Sequence, residues 1–226
     1  MNEQDSRLLW ERGLQFLGGQ TAAQCHEVTN VLNIINEYAG LLGDLLHGSK
    51  GGEDLDLSRL ETIAQKIATQ VRRGETIVRA INQFAHSADT PRALFDVQEL
   101  LGRICFIAQR PANLARTELH TRFPEASITL ENSPLGFEQA VFTAFEIALA
   151  SSAERRRITV GYTLDERGVE IGVHSADPIV PGGEAAAKAT FLAHLMAALR
   201  GAVTGAPGGS DAHRIVLFFP RIQYVE

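Results

Sequence analysis

Cysteine is nearly absent. Only two occur in 226 residues, Cys25 and Cys105, and they lie far apart. Without a Cys-x-x-Cys pair there is neither a disulfide framework nor a cysteine zinc site, and a reducing, cytoplasmic setting is expected. A basic excess is missing too, since 21 Lys and Arg face 27 Asp and Glu for a net charge of −6. Both halves share that balance, so neither reads as a nucleic-acid arm, and no DNA or RNA partner is expected. The opening MNEQDSRLLWERGLQ is acidic and amphipathic, unlike a secretory signal. No apolar run approaches the roughly 18 to 20 residues that cross a bilayer, so no membrane association is expected. What remains is a soluble globular composition, 45% hydrophobic and 21% charged, long enough for one large or two small domains.

The first half is strongly periodic. Cys25, Val28, Leu32, Ile35, Ala39, Leu42 and Leu46 follow at alternating spacings of three and four, and so do Leu60, Ala64, Ile67, Val71, Gly74, Val78, Ile81 and Ala85. These are heptad ladders of two long helices. Between them the glycine-rich stretch from His47 to Asp54 breaks the first helix, and Asp54 or Asp56 caps the second. Further apolar residues flank the ladders: Val31, Ile34, Tyr38, Leu41 and Leu45 on the first, Ile63, Ile77 and Phe84 on the second. One hairpin leaves such residues uncovered. A homodimer joining two hairpins in a four-helix bundle covers them, and packing on the chain's own second half is the alternative.

After Ala88-Asp-Thr-Pro91 the pattern becomes mixed, which divides the chain into residues 1–90 and 91–226. Helices are predicted at Val97–Gln109, Phe137–Ser151 and Glu184–Arg200. Strands are predicted at Leu119–Phe123, Ser127–Leu130, Arg157–Leu164, Gly168–His174 and Arg214–Phe219, with a hairpin turn at Leu164–Gly168. The whole is an α+β chain, a helical hairpin followed by an α/β sandwich with helices on one face of a sheet.

The cluster richest in chemistry is His26-Glu27-Val28-Thr29-Asn30. His26 and Asn30, four apart, share a helix face, and Glu27 follows the histidine directly. A neutral imidazole at a bundle edge is a nucleophile, and a neighbouring carboxylate takes the ring proton when the other nitrogen attacks phosphorus. On residue types alone, a solvated polar turn is the stronger reading.

The stretch from Ala22 to Leu42, with His26-Glu27-x-x-Asn30 and Tyr38-Ala-Gly-Leu-Leu42, resembles the H-box of two-component sensor histidine kinases. The resemblance implies that His26 is phosphorylated, that Glu27 is the base and that Asn30 orients water. Thr29, Asn33, Arg72, Arg73 and Arg79 then become candidates for contact with a partner. Antiparallel helices turning near Gly51 carry the three arginines to within one or two turns of His26.

The second half resembles the ATP-binding (Bergerat-type) domain of the same kinases. Phe95–Ile104 matches its opening helix, Gln139–Ala148 its N-box helix and Val169–Pro181 the strand and turn of its first glycine box. The frame matches without the chemistry. Thr143 and Ile147 stand at N-box asparagines, and isoleucine offers Mg²⁺ no oxygen. Ser175 replaces the adenine-binding aspartate, Asp177 and Ile179 replace box glycines, and Gly182–Thr190 holds no Gly-x-Gly for phosphate. ATP is not expected to bind.

Other motifs carry less. His26-Glu27-x-x-Asn30 lacks the second histidine of a zincin helix, and Gly208–Ala212 precedes a strand where a nucleophile elbow needs a helix. Arg155–Arg157 reads as a solvated turn. The histidines at 47, 86, 120, 174, 194 and 213 have no metal-ligand spacing. Taken together, the two halves resemble the dimeric histidine phosphotransferases of phosphorelays. The resemblance implies phosphoryl transfer between His26 and the aspartate of response-regulator receiver domains, with Mg²⁺ supplied by the receiver and no resident cofactor or metal. A divergent kinase or aspartyl-phosphate phosphatase and a non-catalytic receiver scaffold are the alternatives.

Overall fold

The computed structural model describes residues 3–50, 56–125, 127–151, 157–164, 166–180, 182–205 and 212–220. Helix α1 spans Glu3–Lys50 without a break. Its 48 residues make a rod of about 72 Å at 1.5 Å per residue. The glycines at 18, 19, 40 and 43 do not interrupt it, and it runs beyond His47, where the sequence predicted its end. Helix α2 spans Leu57–His86. Asp56 caps it, its Oδ1 accepting from the Arg59 amide (3.0 Å) and the Ser58 hydroxyl (2.8 Å). Asp54, Arg155 and Arg156, and Gly208–Asp211 lie outside the described residues.

The chain divides into two compact units, Leu17–Ala85 and a second formed by Met1–Phe16 with His86–Glu226. The sequence boundary near residue 90 therefore meets its counterpart at His86, while the first 16 residues group with the second half. In the hairpin unit, α1 and α2 run antiparallel. Arg73 meets Glu27, a Cβ on Gly74 would stand 3.3 Å from Val31 Cγ1, and Lys66 Nζ lies 5.4 Å from the Tyr38 ring centre.

The structure reverses the roles of ladder and flank. Val31 and Ile77, read as flanking residues needing outside cover, are 2% and 3% exposed, and Ile63 is buried as well. The ladder residues Leu32 and Val78 are 58% and 53% exposed, and Val71 and Leu46 also face solvent. Both rows obey the same three-four spacing one position apart, so periodicity does not tell which row faces inward. Leu41 is the flanking residue that stays exposed.

In the second unit β1 (Ala93–Asp96) pairs antiparallel with β3 (Thr129–Asn132). A five-stranded sheet has the order β2-β4-β5-β7-β6. Its strands are β2 (Glu118–Arg122), β4 (Arg157–Leu164), β5 (Gly168–Ser175), β6 (Ala202–Gly205) and β7 (Arg214–Pro220). β2 and β4 are parallel and the remaining pairs antiparallel. Alternation sends Ile158, Val160 and Tyr162 of β4, Val169, Ile171 and Val173 of β5, and Ile215, Leu217 and Phe219 of β7 into the core.

Three helices cover that face: α3 (Val97–Leu114), α4 (Pro134–Ala150) and α5 (Glu184–Ala198). Asp96 caps α3 by accepting from the Glu99 amide, and Ser133 caps α4 ahead of Pro134 at its first turn. Phe137 joins the layers, its ring 5.2 Å from Phe95 and 5.0 Å from Phe219. α4 is buried on nearly every side. Its outer surface meets the start of α1, where Phe16 packs on Phe142 at 5.6 Å and Gln139 Nε2 donates to the Arg12 carbonyl at 3.0 Å.

Three buried polar groups stitch this unit together. Arg103 Nε donates to Glu138 Oε1 at 2.7 Å, and its Nη2 donates to the Ser87 hydroxyl at 2.9 Å. Burial pushes the Glu138 carboxyl above its ordinary range, and the Arg103 charge and hydrogen bonds from Arg103 and Ser87 pull the other way.

Candidate active site

His26 lies on α1 halfway along its length, exposed and with no hydrogen-bond or ion-pair partner among the described residues. Its neighbour Glu27 is fixed. Arg73 Nη2 of α2 donates to Glu27 Oε2 at 2.9 Å, and Asn30 Nδ2 donates to Oε1 at 3.4 Å. One carboxylate is thus held from across the hairpin and from the next turn of its own helix, while the imidazole is left to solvent.

The other predicted residues divide by what they touch. Thr29 Oγ1 donates back to the Cys25 carbonyl at 3.1 Å, and Asn33 is exposed one turn beyond. Arg72 Nη2 donates to Thr69 Oγ1 at 3.2 Å on its own helix. Arg73 donates to Glu27 while its side chain stays 50% exposed. Arg79 is exposed without a partner among the described residues. The pairs Glu27–Arg73 and Tyr38–Lys66 bring Arg79 to within about one to two turns of the level of His26. Cys25 is exposed, whereas burial pushes the Cys105 thiol up to about 12, which leaves it un-ionised and inert near neutral pH.

The five positions of the glycine-box and N-box resemblance lie in the second unit. Thr143 on α4 is buried, its hydroxyl donating to the Gln139 carbonyl at 2.7 Å. Ile147, one turn later, is fully buried. Ser175 ends β5, its amide donating to the His213 carbonyl and its hydroxyl accepting from the Asp177 amide at 3.4 Å. Ile179 is fully buried, and its amide donates to the Ala212 carbonyl at 2.6 Å. Gly183, with φ of 53°, opens α5 with no side-chain cap. Two branched apolar side chains therefore fill this corner, and the Thr143 hydroxyl is already engaged.

Sequence reasoning placed Arg73 near His26 but missed its partner, 46 positions away. It missed the Arg103–Glu138–Ser87 cluster altogether. Glu138, one of two acidic residues inside the apolar run of α4, was the available signal, because a buried carboxylate requires a cation.

No protein-family model matches the chain, and no curated protein matches it in sequence. Solved structures do match. The catalytic domain of the histidine kinase ThkA, in a nucleotide-free form, aligns over 58% of this chain and 99% of its own at 10% identity, with a TM-score of 0.50. A second nucleotide-free form of that domain gives the same score over 97% of its length. The histidine kinase AdeS of Acinetobacter baumannii covers 82% of this chain and 96% of its own at 12% identity, with a TM-score of 0.48. At such identities the likeness is one of fold, that of the sheet unit to the catalytic domain of a histidine kinase.

Proposed function

We propose that the protein is a dimeric histidine phosphotransferase of a two-component phosphorelay, which exchanges phosphoryl groups between His26 and the aspartate of a receiver domain. The observation that carries this reading is the exposed, partnerless His26 beside a carboxylate clamped by Arg73 and Asn30. One ring nitrogen attacks the acyl phosphate of the receiver. The N–P bond forms as the carboxylate O–P bond breaks, and the aspartate is released. The proton on the other ring nitrogen passes to Glu27, which returns it in the reverse direction. The receiver's own Mg²⁺ neutralises the transferring group.

The residues at the nucleotide positions of the kinase resemblance argue against ATP. Ile147 has no oxygen for a metal, the Thr143 hydroxyl is engaged, and Ile179 fills space that a glycine would leave to phosphate. No step is therefore assigned to ATP. The kinase reading is the rival, and labelled ATP with Mg²⁺ decides against it if His26 stays unlabelled. A panel of phosphorylated receiver domains should label His26 in the same assay. Label from ATP alone establishes the rival.

The outward ladder supports the dimer, because Leu32, Val71 and Val78 form an apolar stripe the single chain leaves uncovered. Leu32→Glu should give a monomer in analytical ultracentrifugation with helicity retained, since a carboxylate buried at the seam of a bundle costs several kcal/mol. A variant that still sediments as a dimer removes the four-helix bundle.

Arg79 is an exposed cation with no partner among the described residues. Arg79→Ala should slow transfer from a receiver by roughly three- to tenfold at low salt and by little near 1 M, because steering by an exposed charge is screened. Stopped-flow transfer rates across a salt series test it, and equal rates throughout return Arg79 to ordinary surface charge.

A further inference from the structure

The sheet face turned away from the helices carries a groove of about 730 Å³, inside the range of small-molecule sites. Strand register sets out its floor in rows. His174 lies between Thr159 and Arg214. In the next row Gly172 lies opposite Gly161, with Arg122 of β2 beyond it, and in the third Glu170 lies opposite Thr163. Two facing glycines strip the centre of side chains.

Glycine within a strand weakens it and marks a bulge or a close approach. The register here runs without a bulge. Gly161 has an internal reason, since a Cβ there would stand 2.5 Å from the Arg122 carbonyl oxygen. Gly172 has none in the backbone. Its missing Cβ would meet His174 Nε2 at 2.6 Å, the movable end of a side chain lying across the floor. The bare centre is flat peptide with an imidazole on it. Arg122 and Arg214 flank it from strands three spacings apart, about 14 Å. Glu170 is the one carboxylate among the described lining residues.

We propose that this groove binds a small organic phosphate bearing a planar ring, of mononucleotide size. Arg214 and His174, cross-strand neighbours, take the phosphate with charge-assisted hydrogen bonds. The ring takes the place over Gly161 and Gly172 that the His174 imidazole holds in the free chain, as that imidazole turns toward the phosphate. Glu170 accepts from a ring amino group, and Arg122 closes the far edge. The filled corner at Thr143 and Ile147 belongs to α4, which packs on the opposite face of the sheet, so the two are separate.

Titration of the isotope-labelled full chain with AMP, followed by amide NMR, tests the assignment, with inorganic phosphate and adenosine as separate arms. Saturable shifts at Gly161 and Gly172 are expected, with AMP binding at least about tenfold tighter than either fragment. Arg122→Ala and Arg214→Ala should each weaken AMP about tenfold with the fold retained by circular dichroism. Gly172→Ala, which puts a methyl under the ring, should do the same. No saturable shift up to about 5 mM AMP, unchanged binding in both arginine variants, or shifts centred on Thr143 and Ser175 would each overturn the proposal. AMP no tighter than inorganic phosphate overturns the planar ring. None of these outcomes bears on His26.

Discussion

His26→Gln should abolish acid-labile phosphorylation by phosphorylated receivers while leaving the circular dichroism spectrum and the sedimentation behaviour unchanged. Glutamine keeps a polar, helix-compatible side chain at an exposed position, so stability should change by no more than about 0.5 kcal/mol. It has no nucleophilic ring nitrogen, so loss of label should be complete and not graded. Glu27→Gln serves as the companion. It keeps the shape but leaves Arg73 without its charged partner, and transfer should slow by roughly 10²- to 10⁴-fold as the proton acceptor is lost. Phosphate retained in His26→Gln, or mapped to another histidine, overturns the phosphoacceptor assignment. Slow transfer in Glu27→Gln with normal labelling at long times is the pattern expected of a base.

Arg103→Met should be the most destabilising single change, at about 3 to 5 kcal/mol, because it strands the Glu138 carboxylate in the core. The loss should depend on pH. A carboxyl raised above its ordinary 4.5 binds its proton more readily in the folded chain. Folding is therefore favoured below about 4.5, and that contribution is lost as pH rises through the raised folded value. Removing the arginine takes away the charge that opposes the rise, so the variant's deficit should be larger at pH 8 than at pH 5. Urea titrations at the two pH values measure this. Arg103→Met combined with Glu138→Gln should recover much of the stability and flatten the pH dependence, since no charge then remains to be buried. Equal deficits at both pH values would mean that packing, and not the ion, dominates.

The second half was legible strand by strand where apolar and polar residues alternate over seven or eight positions, as in Arg157–Leu164 and Gly168–Ser175. β1 and β6, each four residues long, escaped because so short a segment holds too few alternations to signal a strand. The start of α1 escaped for a different reason. Its acidic, amphipathic text was read for what it excludes, and its contacts, Phe16 on Phe142 and Arg12 on Gln139, join residues more than 120 positions apart. In the hairpin the helices and their antiparallel sense were legible, but which of two adjacent rows turns inward was not. Close approach at Gly74, where Val31 fits against a position lacking a side chain, decides it. The grouping of His26, Glu27 and Asn30 on one stretch of α1 was legible because it is local. The arginine that holds Glu27 had to come from the other helix, and local spacing says nothing of which of Arg72, Arg73 and Arg79 turns inward.

The borders of the five-stranded sheet bear on how the protein behaves when concentrated. A free strand edge is a template for the edge of another molecule, and repeated pairing of that kind ends in fibrils. β2, on one border, is five residues long and displays Glu118, His120 and Arg122. β6, on the other, has four residues and a shift in register between Val203 and Gly205. A charged edge and a kinked one both pair poorly with a second copy. Neither border favours edge-to-edge association, so overexpressed protein should not form thioflavin-positive aggregates.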